Sequence, residues 1–473
     1  MRTLSFTPSS RWCRIGGVLL AWSALSALSY GAATWDGGGA ANDNWDYSSG
    51  AGIYDNWDDN NLPATTADVT FASAFGVGGT SISLNGDRTA NSLTINTGTA
   101  FSIANSTLAL TSGNIMVSVD GNHDFNSAMN IGSTAAVWDI TGTQDNNGAH
   151  GLDVGGQITG SGSITKSGNG TLLLDATGGN PNFTGDMVVT GGRLTGRFKA
   201  DQLKNAKSLT LTNATYFTSY PGNLGKGLIT LDNASLQLND TPQTVSNNIL
   251  LNGTGTFTGN QPQTLSGTIS GVGGLVFNGG PYLLTGLNSY TGQTTIKSGT
   301  TLQARSLADA GTSCSLGAPT GGNATISMVD GTLKYAGTDP SGHSTNRPLA
   351  SGGGRGWLDA SGAGPVSFTG GYSNGSRDLT LQGSGRGLLQ GISMGTGYLT
   401  KDGTGTWTVS GTCTYSGVTT ITQGKLIMNT TLALSASAIT VASGATLGGN
   451  GTLHRPVTSN GGTVSARAAA SIP

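Results

Sequence analysis

The sequence predicts an all-β chain built from stacked repeats, and three observations carry that prediction. Of 473 residues, 79 are glycine, 10% are charged and none is glutamate. One phrase of about 30 residues recurs three times, a mark of units that pack on one another rather than around a single core. Between the phrases, apolar residues alternate with Thr, Ser and Asn at a period of two, which turns one strand face inward. Such runs are Asp68–Phe71, Ser81–Leu84, Leu93–Ile95, Ser208–Thr212, Leu228–Leu231 and Ser235–Leu238. Glu, Lys and Arg furnish helix surfaces, whereas Thr, Asn and Gly suit strands and turns. Disorder, the competing reading, goes with high net charge and few β-branched residues; this chain has net charge −2.

The phrase is Lys-x-Gly-x-Gly, an apolar strand, aromatic-x-Gly, a second strand, then Gly-x-Leu. The first copy runs through Lys166, Gly168, Gly170, Leu172–Leu174, Phe183, Gly185, Met187–Val189, Gly192 and Leu194. The last runs through Lys401, Gly403, Gly405, Trp407–Val409, Tyr415, Gly417, Thr419–Ile421, Gly424 and Leu426. The middle copy is looser, with Phe277 at the lysine position, then Tyr282–Leu284, Tyr290, Gly292, Thr294–Ile296, Gly299 and Leu302. From the glycine after the aromatic to the closing leucine is nine residues in the first and last copies and ten in the middle one. Glycines at these corners permit positive φ and close approach between turns, and the aromatics cap the apolar interior. Lys166 and Lys401 are expected to point outward.

These residues resemble the autotransporter-associated β-strand repeat, also called the passenger-associated transport repeat, of large exported bacterial proteins. The similarity extends to Ser315–Gly317, Gly331–Tyr335, Phe368–Gly370, the closing stretch Gly444–Leu453 and the opening Thr34–Gly39 with Asn44-Trp45. The resemblance implies a right-handed parallel β-helix, exported and displayed, with no defined reaction. It also decides that Asn252-Gly253, Asp330-Gly331 and Asn374-Gly375 make corners of coils rather than hairpins, an ambiguity the dipeptides leave open. Turns of about 20 residues give about 20 rungs, which stacked about 4.8 Å apart form a rod roughly 100 Å long. A compact core would stop growing at about 250–300 residues. The segment from Ala304 to Ala310 is expected to form one helical turn.

The domain reading has three parts. Residues 1–33 form a secretory signal peptide: Arg2, Arg11 and Arg14 precede the apolar run Ile15–Leu28, and small residues Gly31–Ala33 mark the cut. A membrane anchor would need about 20 apolar residues. Residues 34–65, rich in Trp, Asp and Asn, form an N-terminal cap that shields the first edge. Residues 66–473 form the solenoid, with repeat units near 158–196, 269–303 and 392–427. No C-terminal translocator barrel is expected, because the residues after Pro456 are too few for its many alternating segments.

Several chemistries are weighed against this frame. A pI near 6.0 with scattered cations opposes nucleic-acid binding, which needs a basic stripe. The densest group, Arg193, Arg197 and Lys199, reads as a solvated face. Cys13 leaves with the signal peptide, and Cys314 and Cys413 are expected to be separate, partly buried thiols. Parallel β-helices also carry carbohydrate-active enzymes, so clustered carboxylates matter. Asp120, Asp124, Asp139, Asp145 and Asp153, with His123 and His150, are the densest titratable stretch, although they also suit polar turns. Trp35, Trp45 and Trp57 could stack on sugars, and Asp55, Asp58, Asp59 and Asn60 could hold calcium, but they lack an Asp-x-Asp-x-Asp-Gly loop. Ser351–Gly356 lacks the Gly-Lys-Ser/Thr ending of a phosphate loop, and His343 and His454 have no partners at ligand spacing. The expectation is therefore a non-catalytic, secreted rod with a structural or adhesive role at the bacterial surface. It has no cofactor, no metal and no transmembrane segment in the mature chain. Surface glycans or other cell-surface proteins are its expected partners. The alternatives are a β-helix polysaccharide lyase or hydrolase and a glycan-binding module.

Overall fold

A computed structural model describes residues 32–35, 45, 63–71, 81–141, 151–196, 198–432, 435 and 437–466. The chain is an all-β parallel solenoid of about 18 turns. Strands of mostly three to five residues stack in register on the turn before and the turn after.

Each turn visits three walls. The first is an 11-stranded sheet from Ala33–Trp35 to Ile269–Gly271. The second starts at Ser81–Ser83 and continues through Ala214–Thr218, Leu275–Gly279 and Ile326–Met328. The third begins as four strands from Arg88–Ala90 to Ile158–Thr159 and continues as 11 strands from Gln243–Val245 to Val457–Asn460. Beyond Gly271 the first wall's place is taken by a column running from His343–Thr345 to Thr463–Ala466. Two strands of 10 residues, Arg386–Gly395 and Thr406–Tyr415, bend from this column into the second wall.

Alternation places the core. In Ser208–Thr212 and Ala234–Leu238, Leu209, Leu211, Leu236 and Leu238 are buried while Thr210 and Gln237 face outward. Because pairing is parallel and in register, like stacks on like, and the buried residues form one continuous apolar column. Phe257 lies on Phe277 with ring centroids 5.7 Å apart, and Phe71 meets Phe101 at 5.0 Å.

The three copies of the phrase share one geometry. The first strand of each pairs with its fourth segment one turn later: Lys166 with Val189, Phe277 with Ile296, Lys401 with Ile421. The second segment pairs with the closing one: Leu172 with Leu194, Tyr282 with Leu302, Trp407 with Leu426. Each copy therefore specifies slightly more than one turn. The copies begin on different walls, the first, second and third respectively, so the phrase encodes a turn and not a particular face.

Two expectations need correction. Ala304–Ala310 forms no helical turn: Ala304 ends a strand in register with Tyr335, and the residues after it leave the ladder without helical bonding. Single 3-10 turns form instead at Pro221–Leu224 and Gly321–Ala324. The turn number is about 18, below the expected 20, because corners such as the one between Ala304 and Ile326 take up extra residues.

Candidate functional site: bridging side chains and an acidic column

The repeat residues do their work inside the wall. Lys166 and Lys401 are buried, against the expectation that they face solvent. Lys166 Nζ donates to the carbonyls of Ser167, Gly168 and Gly191 at 3.2, 2.7 and 3.0 Å. Lys401 Nζ repeats the arrangement on Asp402, Gly403 and Gln423 at 2.7, 2.7 and 3.1 Å. Two acceptors belong to the lysine's own corner and the third to the corner one turn later, so each cation bridges two rungs. The corner carbonyls cannot join a ladder, and an unpaired buried carbonyl is costly; the lysine satisfies three. Burial pulls each amine down to about 8, opposed by Asp139 at Lys166 and by Asp402 at Lys401.

The glycine after the aromatic has a single reason in all three copies. A Cβ at Gly185, Gly292 or Gly417 would sit 1.8 Å from Gly162 O, 2.3 Å from Gly273 C and 2.2 Å from Gly397 O, atoms of the rung beneath. Gly192, Gly299 and Gly424 have φ of 62°, 73° and 65°, turning the chain into its closing strand. Phe183, Tyr290 and Tyr415 are buried as expected. Tyr290 Oη meets Thr294 Oγ1 at 2.6 Å and Tyr415 Oη meets Thr419 Oγ1 at 2.8 Å. At the first copy, which has Phe183, the residue four further on is Met187.

Two buried arginines were not anticipated. Arg347 donates to the carbonyls of Ala324 and Leu316, both at 2.8 Å. Arg455 donates to Gly417 O at 2.8 Å and to Tyr415 O, with its guanidinium 4.6 Å from the Tyr415 ring. Both reach back 23 to 40 residues to backbone carbonyls, whereas the lysines reach one turn ahead. Asn180 and Asn288 are buried too; their side chains accept from Ile158 N and Ile269 N at 2.7 and 2.8 Å. Cys314 and Cys413 are free, as expected, and both are buried.

The titratable stretch is divided by the wall. His123 and Asp124 are neighbours in one strand, so alternation sends His123 inward against Phe101, at 4.8 Å, and Asp124 outward. Burial lowers His123 to about 4, with the Thr97 backbone opposing, which keeps the ring neutral at physiological pH. Asp124 and Asp153 are direct register partners on successive turns of the second wall, about 4.8 Å apart along the stack. Asp175 lies near enough to act on them electrostatically. Burial, then the Asp124 and Asp175 charges, push Asp153 up to about 7; burial also raises Asp124 and Asp175. Asp139 stands on the first wall opposite Met116 and Ser167, away from that pair. Asp120 is exposed in a corner. Asp145 and His150 lie outside the described residues. Among the described residues no group of three or more His, Cys, Asp or Glu is placed to hold a metal.

Trp35 and Trp45 are buried against Phe71, with centroids 6.0 and 6.2 Å apart, so their indoles offer no face to a sugar. Trp57, Asp55, Asp58, Asp59 and Asn60 lie outside the described residues. His343 Nδ1 is bonded to Tyr335 Oη at 2.7 Å, and Ser351–Gly356 forms a corner that leads into a strand. No helix among the described residues is long and apolar enough to cross a membrane.

Comparison with known proteins agrees with this geometry. The passenger-associated-transport-repeat model matches residues 164–195, 282–304 and 399–428. The chain is 31% identical over 279 residues to the adhesin BmaC autotransporter of Brucella suis biovar 1 (strain 1330). That match takes in 54% of this chain and 8% of the relative, so the chain spans only a small part of the relative's length. No solved structure matches. The chain thus carries passenger-associated transport repeats on a parallel β-solenoid and is distantly similar to an autotransporter adhesin.

Proposed function

We propose that the chain is a passenger-like β-helix, exported by its N-terminal signal peptide, with an adhesive or structural role at the bacterial surface and no catalytic activity of its own. The observation that carries this reading is the similarity to an adhesin autotransporter over more than half of the chain. The architecture supports it: walls that alternate apolar in and Thr, Ser or Asn out present a repetitive polar surface along a rod. Right-handed coiling and a cap over residues 34–65 belong to the same proposal. Each rung packs on its neighbours, and at four places a buried lysine or arginine adds a bond between rungs, so rungs can fold successively as the chain emerges, biasing export outward. The test is binding of the purified chain to cultured host cells and to a panel of cell-surface glycans and proteins. Saturable binding supports the adhesive role; its absence leaves a structural one. All-or-none melting, with no partly folded fragment, would contradict successive folding.

One observation favours the second reading, a carbohydrate-active enzyme. Asp153, raised to about 7 by burial and the Asp124 and Asp175 charges, stands beside Asp124 on the next turn, a closely spaced carboxyl pair of the kind that supplies acid and nucleophile in retaining glycoside hydrolysis. Release of reducing or unsaturated ends from a polysaccharide, abolished by Asp153→Asn with the fold intact, would establish it. No release across the panel removes it.

A further inference from the structure

Three clefts line up along one edge of the solenoid, the corner between the second wall and the first wall or the column that takes its place. Their volumes are 520, 410 and 520 Å³. The first two are continuous, sharing Asn233 and Thr254, and the third lies further along the same edge beside Ser373, Ser393 and Thr414. The trench exists because the corner sheds its side chains. Gly371, Gly391 and Gly411 stack with φ of 78°, 89° and 70°, and Asn213 and Asn233 take φ of 49° and 48°. Left-handed backbone favours Gly and Asn, so the chain turns tightly there and leaves the corner open.

The floor is a ladder. Thr215, Ser235, Thr256, Val276 and Thr295 are register partners on successive turns of the second wall's outward face. Hydroxyl and methyl groups thus recur about every 4.8 Å, close to the length of one sugar unit in an extended chain. Among the described residues, no charged side chain lines any of the three clefts. The groove therefore suits a ligand that is long, neutral, regularly repeating and rich in hydroxyl and amide partners, with Val272, 73% exposed, offering an apolar contact to a ring face.

We propose that this groove binds a neutral linear glycan laid along the solenoid axis, one sugar per turn. The proposal rests on the adhesive reading above and names its ligand class and site. The absence of charge separates it from an acidic polysaccharide or a charged protein partner, for which complementary charges would be needed.

The test is binding of the full purified chain, by biolayer interferometry, to cellohexaose, mannohexaose and laminarihexaose, with polygalacturonate and heparin as anionic probes. At least one neutral hexaose is expected to bind, with little dependence on salt. Ser235→Lys and Thr256→Lys should weaken it about ten-fold, and Ser373→Lys with Ser393→Lys supplies a second pair should the first disturb folding. Thr210→Lys, outward on the first wall, should bind as the unmodified chain does. No binding of any neutral hexaose, or equal binding by the groove variants, overturns the proposal. So does concentration-dependent self-association that the groove variants abolish, because a second copy is then the occupant. Cell adhesion without hexaose binding would remove the groove and leave the adhesive role; hexaose binding without cell adhesion would do the reverse.

Discussion

The first and last copies of the repeat close their turn with a buried cation, while the middle copy closes the same turn with stacked rings. At Lys166 and Lys401 an ammonium draws together three corner carbonyls from two rungs. At Phe277 that position is filled by a ring 5.7 Å from Phe257 and 5.1 Å from Tyr282, and Thr300 Oγ1 donates to Phe277 O at 3.4 Å. The backbone register is the same in all three. The requirement is thus a filled, satisfied corner, and either chemistry meets it. What the cation adds is a direct bond to the next rung, whereas the rings contribute only packing.

Substitutions at the two kinds of corner should separate the two chemistries. The largest effect should come from Phe277→Lys, which sets a cation against the Phe257 and Tyr282 rings; a buried unpaired charge costs about 3–5 kcal/mol. Hydrogen exchange should show the turns around Phe277 opening while those around Lys401 stay protected, since rungs couple chiefly to neighbours. If the variant is as stable as the parent, the corners are interchangeable and the contrast fails.

Lys401→Met and Lys166→Met should each cost about 2 kcal/mol, since they keep the stem's packing but leave corner carbonyls without donors. Faster exchange of the amides at Gly424 and Gly192, whose corners the lysines span, is the expected readout. Unchanged exchange would mean the bridges carry no stability.

A pH series should separate the two chemistries as well. Each lysine titrates at about 8 when folded, against 10.5 ordinarily, so between these values the unfolded chain holds more protons. Stability therefore rises as pH climbs from about 8 to about 10.5. The double Lys→Met variant should lose that rise in thermal midpoint. Persistence of the rise in the double variant would assign it to other groups.

The smallest effect is expected from Tyr415→Phe, which leaves the Thr419 hydroxyl unpartnered at a cost of about 1 kcal/mol. The first copy already carries Phe183, so the fold should persist. A loss as large as that from Lys401→Met would place the bridge in the tyrosine hydroxyl.

Much of this was legible in the sequence. Period-two alternation located the strands, and the recurring phrase located the turns. The aromatics and glycines took the places the spacing assigned them. The inward direction of the lysines is also written in the sequence. In Ile164-Thr165-Lys166 and Leu399-Thr400-Lys401 the first residue faces inward, so the third must as well. Charge alone points a lysine outward; periodicity prevails here because corner carbonyls stand inside to accept from it. The same alternation separates His123 from Asp124, which nearness in sequence had grouped into one site. The pairing of Asp124 with Asp153 needed the register across a 29-residue turn, which no local pattern fixes. Arg347 and Arg455 were illegible: their partners lie 23 to 40 residues back, outside any repeated phrase.

The repeat lysines act as internal bridges. Site-by-site acylation of the native protein with a water-soluble amine reagent, read by mass spectrometry, tests this most directly. Lys207, whose side chain is 76% exposed, should label promptly, while Lys166 and Lys401 stay unmodified until the protein is unfolded. Labelling of Lys166 and Lys401 in the native protein at the rate of Lys207 would contradict the account.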